Sequence, residues 1–371
     1  MRRMRGRLSR RLLALGVSAL LAAGCAGDAA RAHSSAAPAA TATMPVGFHS
    51  TTSSTRLPPF GKEPVKTHSA YPTTSASSAP WWMAQEGGYF REQGLDVDLQ
   101  FIAGGVTLNA ALAKGDLDVI AAGGQIFVLG YLQGLETMII GSTAAGVDST
   151  IVARPEIRTL DDLRGQTIAV TRLKALTDIA ARAGLERSGL RPDADVSILA
   201  TGGPAESLAA METGVVAGAS LGMPALLEAR KRGYRELIDV TRLGIPFMGA
   251  AVGASKRLLA ERPALAESYL RALAQAGARL KTDREFAMQV VGKYAETSDR
   301  ELLGATVDYY RPLYKTDLYP EPAAVQTVLD AEDEPAARAV RPEDVIDARF
   351  AERLRASGFL DQLPHTEAPW Q

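Results

Sequence analysis

Ala84-Gln85-Glu86-Gly87-Gly88-Tyr89-Phe90-Arg91-Glu92-Gln93-Gly94-Leu95-Asp96-Val97 changes periodicity within a few residues. Upstream, Pro80 to Gln93 has helical spacing, with Ser77 or Ser78 as a possible cap and Gly94 as a left-handed stop. Downstream, Leu95, Val97, Leu99 and Phe101 alternate with Asp96, Asp98 and Gln100, which predicts a strand with one wet face near a sheet edge. A helix that delivers the chain straight into a strand is part of a βαβ unit, so the stretch argues for an α/β fold with a mostly parallel sheet.

The same alternation continues on both sides. Val65 to Tyr71 reads as a strand, and Gly104, Gly105 and Val106 lead a helix through Ala113. A strand at Val119 to Ala121, a helix at Gln125 to Gln133, and apolar runs at Thr137 to Gly141 and Thr150 to Ala153 complete a first lobe over 65–155. A second lobe over 156–241 repeats the pattern: Thr159 to Leu163 (short helix), Thr167 to Val170, Thr177 to Ser188, Val196 to Leu199, Pro204 to Met211, Val215 to Ala219, Pro224 to Arg232 and Leu237 to Val240. Phe247 to Val252 is one more strand, and Ser255 onward is helical in period, so 242–371 is expected to return to the first lobe. The crossings, and hence a hinge, are expected at Ala153 to Thr159 and Val240 to Pro246.

The chain begins with Arg2, Arg3, Arg5, Arg7, Arg10 and Arg11, and Leu12 to Ala23 is almost wholly apolar. That is the grammar of an export signal over 1–24, far short of the roughly 20 residues that span a bilayer. Ala22, Ala23, Gly24 and Cys25, with Leu21 just upstream, resemble the box at which bacterial lipoproteins are cut and acylated. This implies a lipid anchor on Cys25 at the membrane, with the Ala-, Ser-, Thr- and Pro-rich segment 25–64 as a tether. An ordinary signal peptide remains the alternative, and either general or twin-arginine export fits Ser9 to Leu13. The protein is thus expected to be exported, periplasmic or at the cell surface.

Lys plus Arg is 41 against 42 for Asp plus Glu in 371 residues, so no global field points to nucleic acid. One cysteine excludes an internal disulfide, and four scattered histidines make no metal-ligand cluster. No cofactor or metal is expected.

Several segments together resemble the periplasmic solute-binding proteins of ABC importers, in the family that handles nitrate, sulfonates, taurine and thiamine-precursor pyrimidines. They are 84–97; Ala111 to Val119; Leu160-Asp161-Asp162-Leu163-Arg164-Gly165-Gln166-Thr167-Ile168-Ala169-Val170; Leu208 to Val216; and Ala254-Ser255-Lys256 with Pro263. The resemblance runs from about Val65 to Leu280. Departures are Gly218, where the family often has an Asp, and Thr171-Arg172-Leu173 in place of a Gly-Gly-Ser loop. It implies a two-lobed fold with the ligand cleft between lobes, hinge closure on a small solute, and a permease and its ATPase as partners.

Ligands of parallel α/β sheets sit beyond the strand carboxyl ends. The candidate binding residues there are Ser77, Ser78, Trp81, Gly104, Gly105, Asn109, Gly124, Gln125, Thr143, Thr171, Arg172, Met223 and Pro224. Helix-start amides and Ser77 or Ser78 suit a small anion, Trp81 or Trp82 an aromatic wall, and Arg172 a charged contact. Capping serves equally for the serines, Asn109 and Gln125, as core packing does for the tryptophans. The competing reading is a secreted serine hydrolase, because Gly218-Ala219-Ser220-Leu221-Gly222 matches the nucleophile elbow. Only His365 lies downstream of Ser220 to act as base, so the receptor reading is preferred and catalysis is not expected.

Overall fold

The computed structural model describes residues 63–332 and 334–364. The first lobe opens with β1 (Val65–Tyr71), α1 (Ala79–Glu86), α2 (Tyr89–Glu92), β2 (Leu95–Phe101), α3 (Gly105–Lys114), β3 (Val119–Ala122), α4 (Gly124–Leu132) and β4 (Thr137–Ala145). The second contains β5 (Thr150–Ala153), β6 (Thr167–Val170), α5 (Leu176–Arg187), β7 (Ser197–Ala200), α6 (Pro204–Glu212), β8 (Gly218–Leu221), α7 (Ala225–Lys231) and β9 (Arg235–Asp239). The chain then returns through β10 (Met248–Ser255), α8 (Lys256–Glu261), α9 (Pro263–Thr282), α10 (Arg284–Tyr294), α11 (Arg300–Tyr310), α12 (Pro322–Asp330) and α13 (Arg349–Ala356).

The strand orders are β2-β1-β3-β10-β4 and β7-β6-β8-β5-β9. In each sheet four strands point one way. The strand by which the chain enters after a crossing, β10 in one and β5 in the other, runs antiparallel to both its neighbours. The carboxyl ends of the remaining strands therefore share one edge of each sheet.

The predicted helix 80–93 breaks at Gly87 and Gly88, the latter with φ 76°, and resumes as α2. Gly94, with φ 77°, makes the left-handed stop that the sequence predicts, and Phe90 packs on Tyr269 with ring centroids 4.8 Å apart. β2 is an edge strand, as its alternation predicts. The strand expected at Val215 to Ala219 begins only at Gly218, and Val215 lies exposed in the preceding turn.

The boundary expected at residue 155 differs from the observed pairing. Thr150–Ala153 pairs with β8 and β9, so the first crossing is the segment 146–149. The second, 240–247, lies beside it: the Gly146 N–H donates to the Phe247 carbonyl at 2.8 Å and the Val240 N–H to the Ser149 carbonyl at 3.1 Å.

β3 shows how the first sheet is buried on both faces. Val119 and Ala121 join one core with Trp81, Trp82, Tyr269 and Leu270, while Ile120 and Ala122 join another with Leu108, Leu112 and Phe127. This is the period-two alternation of a strand covered by helices on each side. Gly253 of β10 has no side chain because the Phe127 ring occupies the place of its Cβ. The outer edge of β4 is covered by later chain, with the Ser142 N–H donating to the Leu318 carbonyl at 2.9 Å and the Lys315 N–H to the Thr143 carbonyl at 2.8 Å.

Candidate functional site: the cleft between the sheet edges

α11, which belongs to the returning segment, reaches across to the second lobe. Tyr310 at its end is buried, and its hydroxyl donates to Asp148 Oδ2 at 2.6 Å and lies 3.0 Å from Ser75 Oγ. Ser75 follows β1, and Asp148 sits in the first crossing. Gly222 follows β8, and a Cβ there would stand 2.7 Å from the Asp148 carbonyl oxygen. The ends of β1, β4 and β8 thus meet around one tyrosine. Tyr314 extends the cluster, donating to the Ala76 carbonyl at 2.6 Å and stacking on Tyr310 with centroids 6.0 Å apart.

The electrostatics follow from this enclosure. Burial pushes the Asp148 carboxyl above its ordinary range, and the Tyr310 hydrogen bond offsets part of that rise. Burial and the neighbouring Asp148 charge push Tyr310 far above the usual phenol range. Tyr310 therefore stays a donor.

α11 separates two openings. One, of about 460 Å³, is bounded by Pro204, Leu208, Pro224, Leu227 and Leu302. The other, of about 620 Å³, is bounded by Thr150, Arg230, Asp239, Arg242, Asp308 and Tyr309. Two ion pairs also cross between the lobes, Lys231 to Glu301 at 3.1 Å and Lys174 to Glu332 at 3.5 Å.

The helices that begin at the strand carboxyl ends share a property. α3, α4, α5, α6 and α7 start after Gly104, Gly123, Ala175, Gly203 and Pro224, and none receives a side-chain cap from that residue. α8, α10 and α11 are capped by Ser255, Asp283 and Asp299, whereas α1, α2, α9, α12 and α13 also lack a side-chain cap, so it is position at the strand ends that sets these five apart. The first turns facing the cleft keep backbone N–H groups that no cap side chain occupies.

The expected site residues divide into two groups. Gly104, Gly105, Gln125, Thr171, Arg172, Pro224 and Ser77 are exposed or half-buried at the strand ends or in the loops that follow them. The Arg172 side chain makes no ion pair among the described residues, whereas the Thr171 Oγ1 is turned to Thr177 Oγ1 at 2.8 Å. Gly124 is buried against Met248, and Met223 is buried.

Four expectations are corrected. Trp81 and Trp82 are both 0 % exposed and offer no surface to a ligand. Trp82 stacks on Tyr294 with centroids 4.9 Å apart and meets Tyr71 edge-on. Asn109 is buried, donating to the Ile126 carbonyl at 3.2 Å and so tying α3 to α4. Thr143 is buried and donates to the Ala250 carbonyl at 3.2 Å. Ser78 is buried with its hydroxyl on the Thr73 carbonyl at 2.9 Å, which closes the turn before α1.

The nucleophile elbow is not formed either. Ser220 lies inside β8 in register with Ile151, is 0 % exposed, and pairs with Ser149 Oγ at 2.7 Å. His68 is in the other sheet beside Asp98, and His365 and Cys25 lie outside the described residues. Sequence reasoning did not single out Ser75, Asp148, Tyr310 or Tyr314. The available signal was three tyrosines in six residues, Tyr309, Tyr310 and Tyr314, within the helical stretch expected to return to the first lobe.

Residues 75–284 match the family described as NMT1/THI5 like, more than half of the chain, and the chain belongs to that family. It is similar in fold to the periplasmic aliphatic sulphonate binding protein SsuA from Escherichia coli, with a TM-score of 0.61 at 18 % identity over 81 % of this chain and all of that one. It is likewise similar to the periplasmic nitrate-binding protein NrtA from Synechocystis PCC 6803, with a TM-score of 0.63 at 16 % identity over 82 % of this chain and 92 % of that one. YtlA of Bacillus subtilis (strain 168) is 26 % identical over 131 residues, which are 34 % of this chain. The match spans 39 % of the length of that curated relative. Family and fold together define the class, a member of the NMT1/THI5-like family with the two-sheet fold that these periplasmic binding proteins share.

Proposed function

We propose that the protein captures a small solute of the sulfonate, nitrate, taurine or pyrimidine class and delivers it to an ABC permease driven by its ATPase. The observation that carries this reading is the set of five helix starts without side-chain caps at the strand carboxyl ends. Backbone N–H groups and the positive end of the helix dipole suit an anionic group of the solute, with Arg172 as its charged contact. The paired crossings 146–149 and 240–247 act as the hinge, and stronger binding to the closed arrangement drives closure. The burial of Ser220 inside β8 removes the support for a hydrolase.

Export and acylation of Cys25, with 25–64 as tether, hold the receptor near its permease. A Cys25→Ser variant then leaves the membrane fraction, and one that stays there refutes the anchor. For the solute, melting temperature is followed against sulfonates, nitrate, pyrimidines and aromatic acids. At least one compound raises it, and Arg172→Ala weakens an anionic binder on the order of tenfold. No shift with any compound, together with Ser220-dependent ester hydrolysis, overturns the reading.

A further inference from the structure

Asp148, beside α11 and in the first crossing, is paired with no cation among the described residues. Asp239 pairs with Arg242 at 2.9 Å, Asp308 with Arg284 at 2.8 Å, Glu236 with Arg230 at 2.5 Å and Glu301 with Lys231 at 3.1 Å. The neighbouring cations are thus engaged with their own partners. Asp148 accepts from the Tyr310 hydroxyl and from its own backbone N–H, and makes no ion pair among the described residues. A half-buried carboxylate without a counter-ion carries a desolvation cost, and such groups are found where a ligand or metal supplies the charge. No group of three or more metal-ligating side chains exists among the described residues, so a ligand is the better match.

The surroundings fit a positively charged nitrogen. Tyr309 and Tyr310 stand edge to face with centroids 5.3 Å apart, and Tyr314 lies beyond Tyr310. Aromatic faces beside a carboxylate attract a cation through both charge and ring quadrupole. The Tyr309 hydroxyl is buried, has no hydrogen-bond partner, and belongs to a residue that lines the 620 Å³ opening. Thr150 stands beside it in the same lining. At Gly222 the second lobe's main chain approaches Asp148 without a side chain between them, so both lobes border the same carboxylate.

We infer that Asp148, with Tyr309 and Tyr310, is the subsite for a cationic nitrogen, so that the solute carries a protonated amine or an amidinium group. This rests on the solute-binding reading above and narrows it: the negative pole of the solute meets the helix starts and Arg172, and the positive pole meets Asp148.

Matched probes test it on the full chain by calorimetry and melting temperature: taurine against isethionate, and benzamidine against benzamide. The member that carries a positively charged nitrogen in at least one pair binds more tightly than its partner. Asp148→Asn keeps an acceptor for Tyr310, leaves the unliganded protein folded, and weakens that member on the order of tenfold to a hundredfold. Should isethionate, benzamide or any anionic compound bind as well as the probes with a charged nitrogen, with Asp148→Asn leaving or tightening that binding, the subsite is refuted and the receptor reading survives. Should nothing bind, from these pairs or the wider solute panel, both fall.

Discussion

Replacing Tyr310 by Phe removes one hydroxyl and no ring, and the consequence can be worked from its contacts. The ring stays between Tyr309 and Tyr314, so packing is conserved. What is lost is the 2.6 Å bond to Asp148 and the 3.0 Å contact with Ser75. A bond to a charged group contributes about 1.5–3 kcal/mol, and leaving its half-buried partner without that donor carries most of that cost. Ser75 is half-buried and recovers part of its loss with water. The expected destabilisation is therefore about 2–3 kcal/mol, read by urea unfolding with Trp81 and Trp82 fluorescence. Ser75→Ala should cost under about 1 kcal/mol by the same reasoning. Combining Tyr310→Phe with Asp148→Asn should give less than the sum of the two effects, since they remove one shared interaction. A Tyr310→Phe protein within about 0.5 kcal/mol of wild type, or strict additivity, would show that the hydroxyl does not tie the crossing to α11.

Other outcomes follow from the same contacts. Folding raises the Asp148 carboxyl above its ordinary value, so the native state holds that proton more tightly than the unfolded chain does. Its contribution to stability is therefore present below the unfolded value of about 4 and is lost as pH rises through the raised folded value. The wild-type minus Asp148→Asn difference in unfolding free energy should decline across that window, leaving the variant at least as stable near neutrality; a flat difference contradicts this. Trp82→Ala should cost about 3–5 kcal/mol by chemical denaturation, because it empties the space between Tyr71 and Tyr294. Its folded fraction should bind solute as tightly as wild type, whereas a selective loss of affinity would return Trp82 to the site. Ser220→Ala should lose about 1 kcal/mol with its Ser149 partner and abolish no hydrolysis.

Much of the architecture is local in origin and therefore legible. β1 and β6 occupy the ranges that their apolar runs predict, and Gly94 makes the reversal that its neighbours require. Where the chain must choose a distant partner, local pattern gives no instruction. Thr150–Ala153 is buried throughout and carries no alternation, so nothing within it says which sheet it joins; pairing with β8 and β9 does. Val215 looks like strand by composition, yet β8 starts three residues later because the turn from α6 is still closing, with the Val216 N–H on the Ala210 carbonyl at 3.2 Å.

The site divides in the same way. Arg172 and the glycines before α3 and α4 are found by placing loops after strands, a rule that depends only on element order. Trp81 and Trp82 lie at the right position in the chain but point into the core, where α9 and α10 supply Tyr269 and Tyr294. Asp148 and Tyr310 are 162 residues apart, and their meeting depends on α11 returning across the cleft. No spacing in the sequence encodes that contact.

The central claim, capture of a solute by closure of two lobes about paired crossings, is tested most directly by small-angle scattering of the wild-type protein with and without a compound found by melting shift. The radius of gyration should fall on saturation and return after dialysis. An unchanged radius with the compound demonstrably bound would contradict closure and leave the molecule a rigid binder.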